Sequence, residues 1–284
     1  MEPITLAGDA AIDLHMHTTY SDGHWQPEEL FRYLAEHRFS LVAVTDHDRI
    51  DRIEEMQALG HQVGIPVLPG VEVTTQWEGQ MGHVLCYGID PANAVFSGLL
   101  QKTVTRQLEN TRAVYEELRQ RGYEFPRQAE VLAEQGGDLV RPVDNARLMQ
   151  AHGYTHSISE AMKIVTEAGF RSIMADMAEA VDAAHEAGGV ALIAHPGRRE
   201  QGFTLYTPAL LDDVSAKVPL DGIEVVHPSH SSEQIAEYRA YVERRGWLKS
   251  TGSDSHGPRH RYPIQHQASL SIELLKRCGI VIEG

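Results

Sequence analysis

Cysteine is almost missing from these 284 residues, with Cys86 and Cys278 the whole supply. Two isolated thiols exclude a disulfide framework and a Cys-rich zinc site, and they suit a reducing compartment. Long hydrophobic runs are missing as well. No stretch approaches the roughly 20 apolar residues that span a bilayer, and the N-terminal MEPITLAGDA lacks the basic start and apolar core of a signal peptide. The cytoplasm is therefore the expected location, with no membrane partner. Positive charge is short: 25 Lys and Arg stand against 40 Asp and Glu, a formal net charge of −15. That balance argues against a broad grip on duplex DNA, which needs many Lys/Arg to phosphate contacts. A small or end-on phosphorylated ligand stays compatible, because metal ions and a few arginines can invert the potential locally. What the chain does have is histidine, 16 residues spread along its length rather than gathered in a tag.

Short β-branched runs recur between helical stretches: AAIDLHMH, FSLVAVTDH, IPVLPGVEV, HVLCYGID, GGVALIAHP, DGIEVVHP and WLKSTGSDSH. Segments of helical period join them, such as 27–38 and 177–189, the latter closing on glycine. The alternation reads as parallel βα units, about seven strands, several apolar enough to be buried on both faces as in a barrel. Residues 93–173 break the rhythm with helical runs and no convincing strand. The expected organisation is thus a first barrel part over 1–92, a helical insertion over 93–173, and a second barrel part over 174–284.

The histidines and carboxylates fall at the ends of these runs. In Ile12-Asp13-Leu14-His15-Met16-His17, a strand's period of two puts Asp13, His15 and His17 on one face, so two imidazoles form a ready chelate. The following turn can return Asp22 to the same rim. The next strand runs into Thr45-Asp46-His47-Asp48, and the run from Pro66 to Val71 leads to Glu72, an acid costly to bury without a partner. Val190 to Ala194 delivers His195, and the last strand delivers Asp254 and His256. Barrel enzymes place their chemistry at that carboxyl end. Imidazole with carboxylate and no thiolate suits manganese, iron or zinc.

The segments IDLHMHTTYSDG, VAVTDHD, LPGVEVTT and ALIAHPGR with GSDSHGP together resemble the PHP family, named for polymerase and histidinol phosphatase, over nearly the whole chain. The resemblance implies a distorted (β/α)7 barrel, TIM-barrel-like, with three divalent ions per chain, manganese first and iron or zinc as alternatives. By position, His15, His17, Glu72 and Asp254 would hold one ion; Glu72 would bridge to a second that takes His83 and His195; Asp22, His47 and His256 would hold the third. His83 enters on the resemblance alone, because it opens its strand instead of ending it. Asp13 and Asp46 read as acids that orient imidazoles.

Within the family the chain resembles phosphoesterases acting on nucleoside 3',5'-bisphosphates and short oligoribonucleotides. The implied reaction is attack on phosphorus by a hydroxide bridging two ions. Arg198, next to His195-Pro196-Gly197, is the candidate fork on phosphate; His230 is expected to contact phosphate or protonate the leaving oxygen, in preference to His227. Arg141 and Arg147 are further candidate phosphate binders, although their segment lacks the histidine that relatives carry there. A phosphatase of another metabolite such as histidinol phosphate is the alternative substrate reading. An amide or lactone hydrolase and a non-catalytic polymerase or repair accessory barrel are the remaining ones, and the full ligand set argues against the last.

Overall fold

A computed structural model describes residues 4–133, 136–200 and 202–283. Two compact units emerge. The first comprises Met1–Leu100 with Met174–Gly284, and the second comprises Gln101–Ile173.

The strands of the first unit are β1 (Thr5–Ala7), β2 (Ala11–Asp13), β3 (Leu41–Val42), β4 (Gly70–Trp77), β5 (Gln80–Tyr87), β6 (Ala175–Asp176), β7 (Val190–Ile193), β8 (Gly222–Val226), β9 (Leu248–Thr251), β10 (His266–Gln267) and β11 (Val281–Glu283). Helices α1 (Pro27–Glu36) and α2 (Ile53–Gln62) follow β2 and β3 in the chain; α3 (Ala94–Gln120) starts in the first unit and ends in the second. The second unit continues with α4 (Gln128–Val131), α5 (Asp144–Ala151) and α6 (Ile158–Glu167), and none of its described residues forms a strand. Its own core joins Val114, Leu118, Leu148, Met149, Ala161 and Val165. Back in the first unit come α7 (Met177–Glu186), α8 (Pro208–Ser215), α9 (Ser232–Arg245) and α10 (Ile272–Arg277).

Six strands form one sheet in the order β6-β4-β5-β7-β8-β9, three form another in the order β10-β2-β3, and β1 pairs with β11. Single bridges continue this pairing at Met16 with Ser255, Val42 with Val67, and His47 with Glu72. Pairing of β7 with β8, β8 with β9, and β2 with β3 is parallel. The expected run of parallel strands fails at β5, which is antiparallel to both β4 and β7. The reason is local. Glu78 and Gly79 take left-handed backbone angles (φ 49° and 79°) and make a two-residue turn, which can only return the chain alongside itself.

Alternation then builds two buried layers. Leu85, Tyr87, Leu192 and Ala194 face inward with Ile12, Leu14, Leu41 and Ala43. Val84, Cys86, Ala191 and Ile193 face outward and pack with Met177, Val181 and Leu211 of α7 and α8 and Tyr238 of α9. A sheet covered on both faces needs apolar residues at consecutive positions, which is why these strands read as continuous apolar runs. The helices are stopped and started by local chemistry: Ser231 and Gln234 form a capping box at the start of α9, and left-handed Gly246 (φ 66°) ends it.

Candidate metal centre

The β4–β5 register sets the centre. Glu72 pairs with Leu85 and Thr74 with His83, so Glu72 and His83 lie diagonally on one face, the face that carries Leu85 and Tyr87 into the inner core. Because β5 runs against its neighbours, its beginning lies beside the end of β7, and the Ala194 amide donates to the His83 carbonyl (2.9 Å). His83 therefore reaches the same rim as residues at the ends of parallel strands.

Around Glu72 the imidazoles converge. Its Oε1 is 2.8 Å from His83 Nδ1 and 2.9 Å from His195 Nε2. Its Oε2 is 3.0 Å from both His15 Nε2 and His17 Nε2, and 3.5 Å from His47 Nε2. Asp254 Oδ1 lies 3.5 Å from His15 Nε2, 3.3 Å from His17 Nε2 and 3.4 Å from His256 Nδ1. Asp22 Oδ1 is 3.2 Å from His256 Nε2 and 3.8 Å from His47 Nε2. His15, His17, Glu72 and Asp254 offer one atom each within 4.8 Å of one another; so do His17, Asp22, His47 and His256, and so do His47, Glu72 and His83. All nine side chains expected as ligands thus meet in the first unit, in one continuous group.

Two of them sit on strained backbone. His195 (φ 32°) and Asp254 (φ 53°) are left-handed and not glycine, a conformation that needs support from the surroundings.

Metal-free, the group is a mesh of opposite charges. Burial alone would push His17 down, but Asp254 and Glu72 raise it to about 10. His15 behaves likewise: burial opposes charge, yet Glu72, Glu224 and Asp254 hold it well above its ordinary value. Burial, uncompensated by Glu72, pushes His47 and His195 down to about 4, so both are neutral at pH 7. Glu72 and Asp254 are held well below the carboxylate range, against the cost of burial, by the imidazoles around them. Such a mesh is costly to maintain in a dry interior, and it suggests that something else neutralises the acids. The donor set fits divalent ions. Both ring nitrogens of buried His17 lack hydrogen-bond geometry, Nε2 despite its 3.0 Å approach to Glu72, as nitrogens aimed at a shared cation would.

Sequence reasoning missed Glu224 and Phe203, ranked His227 below His230, and misjudged two acids. Glu224, fully buried on β8, accepts from His15 Nδ1 (3.1 Å) and from the His195 amide (2.8 Å). His227 Nε2 lies 3.5 Å from Asp254 Oδ2. Phe203 meets His83 and His195 edge-on, each at 5.5 Å between ring centres, and carries the Arg198 guanidinium 3.8 Å above its ring. The strand GIEVV announces an acid inside an apolar run, the signal that marked Glu72, and it was available for Glu224 too. Asp13 and Asp46 do not orient imidazoles. Asp13 accepts from the amides of His15, Ser253 and Ile264, and Asp46 from the Thr18 amide and the hydroxyls of Thr18 and Ser21. The oxygens of both carboxylates are taken up by amides and hydroxyls of turns distant in the chain, so each acid pins those turns instead of a ring.

Arg198 Nη1 stands 3.7 Å from Asp254 Oδ2, at the edge of the group. His230 presents no free nitrogen: the Gly197 amide donates to Nε2 (3.0 Å), and Nδ1 donates to the Val225 carbonyl (3.0 Å). Arg141 and Arg147 belong to the second unit, where the Arg141 amide donates to Asp144 (2.7 Å) and the Arg147 guanidinium lies 3.9 Å from it.

A mixed α/β sheet with imidazoles and carboxylates gathered at one rim defines a metal-dependent hydrolase. The chain belongs to the PHP family, whose domain model matches residues 13–175. It is a metal-dependent phosphoesterase of that family. A 3',5'-nucleoside bisphosphate phosphatase of Chromobacterium violaceum is 32% identical over 262 residues, 88% of each chain. A 5'-3' exoribonuclease of Haemophilus influenzae is 29% identical over 251 residues, 87% of this chain and 90% of its own. A crystal structure from Bifidobacterium adolescentis, assigned as a metal-dependent phosphoesterase, superposes with a TM-score of 0.78 at 27% identity, over 97% of this chain and 98% of that one. Among the described residues no helix is long and apolar enough to cross a membrane.

Proposed function

We propose that this chain hydrolyses phosphate esters of nucleotides, either a nucleoside 3',5'-bisphosphate or the end of a short oligoribonucleotide. The observation that carries the reading is the sharing of Glu72: one buried carboxylate meets five imidazoles delivered by four strands, β2, β3, β5 and β7. His15, His17, Glu72 and Asp254 would hold one ion, Glu72 with His83 and His195 a second, and Asp22, His47 and His256 a third, manganese being the first candidate. When bound, the ions supply Lewis acidity toward phosphoryl oxygens and make water more acidic. The single bridges from Met16 to Ser255 and from Val42 to Val67 support a distorted (β/α)7 barrel around this site, with residues 93–173 inserted into it.

The chain's own residues bind and orient. Arg198, one-fifth exposed beside Asp254, offers its fork to phosphoryl oxygens, and Phe203 holds the guanidinium plane in place. His230, bonded through both nitrogens, acts by fixing the Gly197–Arg198 turn. Arg141 and Arg147, in the second unit, are proposed as phosphate binders.

Purified protein with added manganese is to be assayed on nucleoside 3',5'-bisphosphates, short RNA carrying a 5'-phosphate, histidinol phosphate, and amide and lactone substrates, with Asp254→Ala as control. Turnover of bisphosphate or RNA by the wild type alone supports the reading. Selective turnover of histidinol phosphate, or of amides or lactones, overturns it.

A further inference from the structure

The end of β8 supplies none of the nine candidate ligands, yet it touches three of them. Glu224 is the first contact. Its Oε1 takes His15 Nδ1 at 3.1 Å and its Oε2 takes the His195 main-chain amide at 2.8 Å, so both oxygens are engaged and the side chain is fully buried. A proton on His15 Nδ1 leaves the lone pair on Nε2, the nitrogen that faces Glu72 and Asp254. The bond to the His195 amide supports a residue held at φ 32°.

His227 is the second contact. The Ser229 amide donates to His227 Nδ1 at 3.0 Å, and a main-chain hydrogen cannot be moved elsewhere, so Nδ1 carries the lone pair and Nε2 the proton. That Nε2–H is buried, has no bond of normal length, and lies 3.5 Å from Asp254 Oδ2, while Oδ1 of the same carboxylate faces His15, His17 and His256. With its proton there, His227 cannot be a ligand. His15, Glu224 and His227 do lie within metal-ligand spacing of one another, but His15 Nδ1 is already committed to Glu224.

We propose that the end of β8 is a positioning layer, in which Glu224 sets the ring of His15 and the backbone of His195, and His227 sets the carboxylate of Asp254. The proposal rests on the metal-centre reading above. It makes Glu224 and His227 positioning residues, acting on the ions only through three ligands from other strands. Outer partners of this kind are worth about 10- to 100-fold in metal affinity.

The test is metal binding itself. Wild type, Glu224→Gln, His227→Ala and His227→Gln are stripped, reloaded with manganese, and titrated against a competing chelator, with bound equivalents counted by mass spectrometry and folding checked by circular dichroism. A glutamine at 224 can accept at one atom only, so one of its two bonds is lost. The expected result is a full complement of ions at saturation in every variant, with dissociation constants weaker by about 10- to 100-fold in Glu224→Gln and His227→Ala. His227→Gln, which keeps an amide donor, should recover most of the loss, and this pair decides the matter if Glu224→Gln does not fold. In the zinc-loaded wild type, nitrogen-15 correlation spectra should show His15 protonated at Nδ1 and His227 at Nε2. Unchanged affinity in a folded Glu224→Gln or in His227→Ala overturns the proposal. Loss of a whole equivalent at saturating metal overturns it too, by making these residues ligands. A wild type that binds no manganese would instead remove the metal-centre reading beneath it.

Discussion

Glu72 Oε1 and His195 Nε2 stand 2.9 Å apart, although 123 residues separate them in the chain. The contact joins β4 to the end of β7, the two strands that flank the reversed β5. Replacing Glu72 with glutamine keeps the volume and removes the charge that five imidazoles face. The expected outcome is loss of bound manganese and a fall in phosphoesterase turnover of more than about 100-fold, beyond what removing an outer partner costs. Metal content by mass spectrometry and steady-state kinetics check it; a variant that keeps all its metal would remove Glu72 from the hub.

Metal binding should expel protons. In the metal-free fold His17 is raised from 6.5 to about 10, with burial opposing and Asp254 and Glu72 driving the shift. A raised imidazole contributes stability that is complete below about 6.5 and fades as pH climbs toward 10, so the metal-free protein should melt at lower temperature at pH 9 than at pH 7. Ligation needs the neutral ring. Manganese affinity should therefore rise with pH across that same window, up to about tenfold per unit for each proton displaced. Calorimetry at pH 7 in buffers of different ionisation enthalpy should report at least about one proton released per chain. Affinity that is flat or falls with rising pH would contradict the charge mesh.

What could be read in advance depended on periodicity. His15 and His17 share a strand face by alternation, and His195 and Asp254 follow apolar runs, so each was legible as a residue at a strand end. His83 was not, because nothing in HVLCYGI says that its strand runs backwards; only the turn at Glu78-Gly79 carries that information. The acids were harder still. Asp13 lies two residues before His15, as an orienting partner might, but its carboxylate serves amides at Ser253 and Ile264, far along the chain. Glu224 reaches His15 from 209 residues away, and no local spacing encodes that meeting.

Close packing beneath His15 gives a steric prediction. A Cβ on Gly252 would overlap the Cβ of His15 and lie 2.8 Å from its amide nitrogen, so Gly252→Ala must shift the His15 backbone. Overpacking of this kind costs about 1–3 kcal/mol. The displacement should also weaken metal binding, which an ordinary core defect would not. Gly98, exposed in α3 with nothing near its missing Cβ, is the control, and Gly98→Ala should be neutral or stabilise by up to about 1 kcal/mol. Thermal melts with and without manganese, together with metal counts, test both; equal behaviour of the two variants would show that His15 tolerates the intrusion.

Arg198 should separate substrate binding from metal binding. Its guanidinium is held by three contacts: Phe203 below at 3.8 Å, Glu200 at 2.8 Å, and Asp254 at 3.7 Å. Through Nη1 the guanidinium lies beside Asp254, and it is a flat donor fork, the shape that matches two phosphoryl oxygens. Lysine keeps the charge and loses the fork, so Arg198→Lys should behave more like Arg198→Ala than like wild type. Both are expected to raise KM by about tenfold, one bidentate contact's worth, while bound metal stays unchanged. Phe203→Ala removes only the shelf, and a cation–π contact at a partly exposed site is worth about 0.5–1 kcal/mol, so KM should rise about two- to fivefold. Full rescue by lysine would mean that charge alone recruits the substrate, and a loss of metal in either arginine variant would place Arg198 among the groups that hold Asp254.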